Sequence, residues 1–201
     1  MFTVFIVDDD ERMVKALSRL MRVRGYEVQA FTSPHEFLAA HDATLPGCAV
    51  LDVSMPGLNG LELQRALTVS NAHRPIIFIT GKGDIPTSVH AMKAGAVDFL
   101  TKPVSNDDLM AAIARAEEQD AQSRRLGVEL AAIEAKMAAL TPREREVLGH
   151  VVAGRLNKQI AFDLGTVEKT IKFHRASIMK KLQVRTIADL VRFGEKAGVS
   201  K

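Results

Sequence analysis

Five short apolar runs, each closed by a polar or turn-forming residue, constrain this chain more than any other feature. They are Phe2 to Val7, Tyr26 to Phe31, Cys48 to Leu51, Pro75 to Ile79 and Val97 to Leu100, and an amphipathic stretch follows each. Short β-branched runs bounded by turn residues read as strands, and strands alternating with helical patterns read as βα units. Five such units make a parallel sheet with helices on both faces. In an open parallel sheet the strand ends gather at one edge. Asp8, Asp9, Asp52, Thr80 and Lys102, which all close apolar runs, are therefore expected to share one pocket.

Charge divides the chain into two domains. Residues 1–123 hold 11 Lys and Arg against 16 Asp and Glu, a net of −5, whereas residues 124–201 hold 16 against 8, a net of +8. An acidic half suggests a cation or phosphate site and a basic half a polyanion partner. The single cysteine, Cys48, lies inside a strand, which leaves neither a disulfide framework nor a Cys-based metal site. His35, His41, His73, His90, His150 and His174 show no i,i+3 or i,i+4 pair that would point to zinc. No apolar run approaches ~18 residues and the first residues already form a strand. A soluble, cytoplasmic protein without a membrane partner is the expectation.

Four motifs make the pattern specific: VDDD (Val7 to Asp10), LDVSMPGLNG (Leu51 to Gly60), FITGKGD (Phe78 to Asp84) and AMKAGAVDFLTKP (Ala91 to Pro103). In this order they resemble the receiver domain of bacterial two-component response regulators, with its CheY/flavodoxin-like, doubly wound five-stranded parallel sheet. In the strand order 2-1-3-4-5 the first and third strands are neighbours, so Asp8, Asp9 and Asp52 share a site. Three like charges at close range repel, and a hard divalent cation with oxygen ligands is the usual compensation. Mg²⁺ suits such a site because it keeps several waters and needs few carboxylates.

The resemblance implies that Asp9 and Asp52 are direct Mg²⁺ ligands, joined by the backbone carbonyl of Ser54, with Asp8 acting through water. Asp10 reads as a helix-start acid. Asp52 is then the nucleophile that becomes an aspartyl phosphate, and positioning with charge neutralisation supplies the catalysis. The Lys102 ammonium and the groups near Thr80 and Gly81 would cover the remaining phosphoryl oxygens. The family also implies a cis Lys102–Pro103 bond and a switch in which Thr80 and the aromatic Phe99 respond to phosphorylation.

From Asp107 to about Ala139 the chain has no proline and one glycine, Gly127, a strongly helical composition. Leu126, Leu130, Ile133, Met137 and Leu140 are spaced 4, 3, 4, 3, a seam two heptads long. Either a dimer seam or a helix packed within its own chain fits this spacing.

Beyond the linker, Thr141-Pro142-Arg143-Glu144 reads as a capping box with proline at the first helical position. Helices are expected to Ala153, over Asn157 to Leu164, over about Glu168 to Leu182 and from near Thr186. A short helix, a Gly165 turn and a longer basic helix make a helix-turn-helix. The runs LTPREREVL, NKQIA and TIKFHRASIMKKL resemble the all-α, four-helix LuxR-type DNA-binding domain, and the whole chain resembles the FixJ/NarL group.

Val167 departs from the Ser or Thr usual at the cap of the recognition helix, so Thr166 capping one residue early or a less well anchored helix is expected. At ~100° per residue, Val167, Ile171, Ile178 and Leu182 form the core stripe, while Lys169, Lys172, Phe173, Ala176 and Lys180 project outward. An aromatic Phe173 on a wet face makes little sense for folding, but in a major groove it can touch a thymine methyl. Plain phosphate attraction is the alternative for the lysines.

These readings converge on a transcriptional response regulator: receiver domain 1–122, helical linker 123–139 and helix-turn-helix domain 140–201. A sensor histidine kinase and promoter DNA are the implied partners, with a homodimer on activation and RNA polymerase as a further contact. Two rivals remain at this point, a pseudo-receiver regulated without phosphorylation and an aspartate-based phosphatase. Phosphatases of that kind carry the nucleophile after the first strand, whereas here it follows the third.

Overall fold

A computed structural model of the chain describes residues 1–69, 74–81 and 85–199; Lys82, Gly83 and Asp84 of the third motif and His73 lie outside them. Two compact units divide the chain, Met1–Arg124 and Arg125–Lys201. The first runs β1 (Thr3–Val7), α1 (Glu11–Val23), β2 (Glu27–Phe31), α2 (Pro34–Ala40), β3 (Gly47–Asp52), α3 (Gly60–Val69), β4 (Ile76–Thr80), α4 (Ile85–Lys93), β5 (Asp98–Thr101) and the start of α5 (Asn106–Ala138). All strands are parallel, in the expected order β2-β1-β3-β4-β5. Strand ends differ from expectation by a residue. Pro75, with no N–H to give a ladder, precedes β4 and only accepts through its carbonyl, from Ala49 N at 2.9 Å.

Successive side chains of a strand point to opposite faces, which builds two cores from alternate residues of the same strands. Val4, Ile6, Cys48, Val50, Ile77 and Ile79 pack against Leu17 and Met21 of α1 and Leu109 and Ile113 of α5. Their neighbours Phe5, Val7, Ala49, Leu51 and Phe78 pack against Phe37, Leu63, Leu67 and Ala91 from α2, α3 and α4. The three central strands are buried throughout while edge strands β2 and β5 are half-exposed. At roughly 1.5–3 kcal/mol for each fully buried large side chain, this double core fixes where the strand ends emerge.

Gly60 sets the other boundary of that edge. A Cβ there would stand 2.4 Å from the Asp52 carbonyl and 3.0 Å from Phe78 Cε1, so only glycine lets α3 begin directly against the end of β3. Asp10 is the N-cap of α1 and accepts from Arg12 N at 2.8 Å, the helix-start role expected of it.

The second unit contains the end of α5, α6 (Pro142–Val152), α7 (Asn157–Asp163), α8 (Glu168–Leu182) and α9 (Ile187–Lys196). Thr141 and Glu144 close the expected capping box on α6, and Thr186 with Asp189 closes another on α9. Leu148, Val152, Ile160, Ile171, Ile178, Leu182 and Leu190 form the core.

One expectation needs correction here. Val167 is not on the core stripe of α8; it is 64% exposed. It occupies the N-cap with extended backbone, φ −103° and ψ 152°, outside the helical phase, and makes no side-chain cap bond. Along the heptad seam, Leu140 is buried and Met137 packs on the helical core, whereas Leu126 and Leu130 are 53% and 57% exposed.

Candidate functional site

The carboxyl edge of the sheet carries Asp8 just beyond β1, Asp52 at the end of β3, Thr80 at the end of β4 and Lys102 just beyond β5. Lys102 joins them. Its Nζ lies 2.7 Å from Asp8 Oδ2 and 2.7 Å from Asp52 Oδ1. Both carboxylates are buried, at 2% and 4% exposure, as is Thr80. The second oxygen of each is also taken: Asp52 Oδ2 accepts from Ser54 N at 2.6 Å and Asp8 Oδ1 from Asp10 N at 2.9 Å. The Lys102 N–H donates to the Thr80 carbonyl at 2.7 Å. Burial alone would push the Lys102 ammonium toward deprotonation, but the bonds to Asp52 and Asp8 outweigh it and raise its pKa. The Lys102–Pro103 bond is cis.

The carboxylates do not converge as a set of three. Asp9 is exposed, and among the described residues no three His, Cys, Asp or Glu side chains gather into a group that could hold a metal. Asp8 instead turns inward to Lys102, and Ser54 meets Asp52 through its N–H. The inward pair still leaves two buried carboxylates against one ammonium, with a third carboxylate adjacent in sequence. An oxygen-only donor set with uncompensated negative charge suits Mg²⁺, which takes one or two carboxylates and keeps its waters.

Phe99 is in register with Phe78 across β4 and β5. Their ring centroids are 6.1 Å apart, and Phe99 is half-buried at the margin of the core.

On α8, Ile171, Ile178 and Leu182 are fully buried. Lys169, Lys172, Phe173, Ala176 and Lys180 are all exposed, Phe173 by 70%. Lys172 is not solitary: its Nζ lies 3.1 Å from Glu168 Oε1.

Lys181 has a different task that its place in the basic run does not reveal. With Ser177 it grips Glu144, whose carboxylate accepts from Lys181 Nζ at 2.7 Å, Ser177 Oγ at 2.7 Å and Thr141 N at 2.8 Å. Burial pushes the Glu144 carboxyl up, yet these bonds prevail and hold it at about 2. Glu144 thereby ties α6 to α8. The only signal in the sequence is an acid at the third position of a capping box, which announces the cap and not the long-range partner.

At the amino edge of the sheet, Arg74 is 8% exposed. It donates through Nε to His41 Nε2 at 2.7 Å and through one terminal nitrogen to the Asp42 and Leu45 carbonyls at 2.7 and 3.1 Å. The guanidinium lies 4.2 Å over the Phe5 ring. Burial and the neighbouring Arg74 charge lower the His41 pKa to about 4.

Comparison with known proteins is consistent across both units. The receiver-domain family of response regulators matches residues 4–114, and the luxR family of bacterial regulatory proteins matches residues 138–193. The chain is 45% identical over 197 residues to Nodulation protein W of Bradyrhizobium diazoefficiens, covering 98% of this chain and 87% of that one. To the Transcriptional regulatory protein FixJ of the same organism it is 39% identical over 196 residues, covering 98% and 96%. Among solved structures, the response regulator StyR is similar with a TM-score of 0.87 at 44% identity, over 97% of this chain and 98% of that one.

Proposed function

The chain belongs to the transcriptional response regulators of the FixJ/NarL group, a receiver joined to a LuxR-type DNA-binding domain, and from that membership we propose that a sensor histidine kinase phosphorylates Asp52 to control promoter binding. The observation that carries this reading is Lys102 bridging Asp8 and Asp52 at the sheet edge beside buried Thr80. One Asp52 carboxylate oxygen attacks the phosphorus of the donor. The phosphorus bond to the donor's imidazole nitrogen breaks, and its electron pair leaves with the donor. Lys102, already protonated, neutralises one phosphoryl oxygen, and the Thr80 hydroxyl donates to another.

Asp9, Asp52 and the Ser54 backbone would hold Mg²⁺, with Asp8 acting through water. When bound, Mg²⁺ offsets the clustered carboxylates and polarises the phosphoryl group. Movement of Thr80 toward the phosphoryl oxygen opens space that Phe99 fills, favouring a pre-existing minor state. The active form pairs through a second copy, and Lys169, Lys172, Phe173 and Ala176 face the bases while Lys180 meets phosphate.

Acetyl phosphate tests the chemistry without the kinase. Phosphate incorporation, followed by intact-mass spectrometry, is expected for the wild-type chain with Mg²⁺ and absent for Asp52→Ala or in excess chelator. Equal incorporation by Asp52→Ala would defeat the assignment.

A further inference from the structure

Glu168 is an exposed acid at the start of the lysine-rich helix α8, and folding does not account for it. It is the first residue of α8, directly after the uncapped Val167. Its side chain is 47% exposed and that of Lys172 is 65% exposed. An exposed ion pair one helical turn apart adds little to stability. A carboxylate near the start of a helix gains a similar small amount from the backbone dipole.

On the DNA-facing surface the same carboxylate is costly unless it is satisfied. The amino-terminal residues of a recognition helix are the ones that meet base edges, and a carboxylate brought among phosphates is repelled. The base-edge donor that a carboxylate accepts from in the major groove is the cytosine N4 amino group, and a lysine donates to guanine O6 and N7. These two base atoms belong to one base pair, joined by a hydrogen bond, so N4 and O6 stand about 2.9 Å apart. Glu168 Oε1 and Lys172 Nζ stand 3.1 Å apart. The protein thus presents one acceptor and one donor side by side, at the separation of the donor and acceptor on the major-groove edge of a G·C pair.

Contrast with Lys181 sharpens the point. That lysine is bound to the buried Glu144, in a contact that ties two helices together. The partner of Lys172 is itself exposed, so both members are free to turn to a base pair.

We propose that Glu168 and Lys172 act as one donor–acceptor couple that selects a G·C pair, Lys172 donating to the guanine and Glu168 accepting from the cytosine. This rests on the reading of α8 as the DNA-recognition helix. Glu168 is then a specificity residue: it weakens binding to DNA at large through its charge and repays that cost only where a cytosine amino group is in reach.

Selection from a randomised duplex library with the full chain, treated with acetyl phosphate and Mg²⁺, tests it directly. The wild type, Glu168→Ala and Glu168→Gln are compared, with circular dichroism confirming equal helix content. The wild type is expected to enrich G·C over A·T about tenfold or more at one position of each half-site. Glu168→Ala should lose the preference at that position alone and bind random duplex more tightly than the wild type. Glu168→Gln, whose amide pairs with adenine, should shift it toward A·T. If the wild type enriches a sequence and both variants keep the same preference at every position, the couple is refuted while α8 stands as the reader. If the wild type enriches nothing, the reading of α8 falls and the couple falls with it.

Discussion

Lys102 is the residue whose surroundings say most about the resting pocket. Removing its ammonium leaves Asp8 and Asp52 as two buried carboxylates without the charge that bridges them. Breaking a buried pair from one side costs on the order of 3–5 kcal/mol, and partial exposure of Lys102, 21% for its side chain, places the expected loss at the lower end. Lys102→Met should therefore lose about 3 kcal/mol in chelator and recover more of it with millimolar Mg²⁺ than the wild type gains, as read by thermal unfolding. Equal Mg²⁺ shifts for both proteins would contradict the charge balance described.

His41 offers a pH test at the opposite edge of the sheet. Its folded pKa, about 4, lies below the usual 6.5, so the unfolded chain binds a proton first. Stability from this group is full above pH 6.5 and drains away as pH falls toward 4. His41→Gln, neutral throughout, should flatten urea midpoints over that window.

At the scale of elements, most of the architecture was legible because its causes are local. Strand runs, the Thr141–Glu144 box and the burial of Ile171, Ile178 and Leu182 all follow from spacing and cap chemistry. What escaped was set by partners distant in sequence. Nothing near Arg74 announces that it will be buried against Phe5 and His41, 33 residues from the latter. Asp8 rather than Asp9 turns inward because Lys102, 94 residues away, reaches it. Val167 falls off the stripe that a 100° count assigns it because a cap residue with extended backbone lies outside the helical phase.

The same distance dependence gives Glu144 its prediction. Glu144→Gln removes the charge that Lys181 and Ser177 satisfy, and should cost about 2 kcal/mol. The loss should appear as faster hydrogen exchange in α6 and α8, with the sheet unaffected. Met137 of α5 and Leu140 just beyond it belong to the helical core, whereas Leu126 and Leu130 of α5 are exposed. Met137→Ala should destabilise the second unit, and Leu130→Ala should leave monomer stability within about 0.5 kcal/mol of the wild type.

For the whole molecule, a carboxylate pocket in one unit and a lysine-rich helix in the other make regulation a matter of coupling between the two units. A single recognition helix covers one half-site, and pairs of half-sites about one helical turn apart favour a dimer. Acetyl phosphate with Mg²⁺ should raise the sedimentation coefficient of the wild-type chain and not of Asp52→Ala. Thr80→Ala should accept phosphate yet transmit little of it to DNA affinity.

The decisive measurement is the equilibrium affinity of the full chain for its selected duplex, by fluorescence anisotropy at fixed salt, before and after acetyl phosphate with Mg²⁺. Coupling free energies between sites correspond to roughly 5–150-fold. The wild type should tighten by a factor in that range, and Asp52→Ala should show no change. Identical affinities for the wild-type chain with and without a confirmed phosphoryl group on Asp52 would contradict the account.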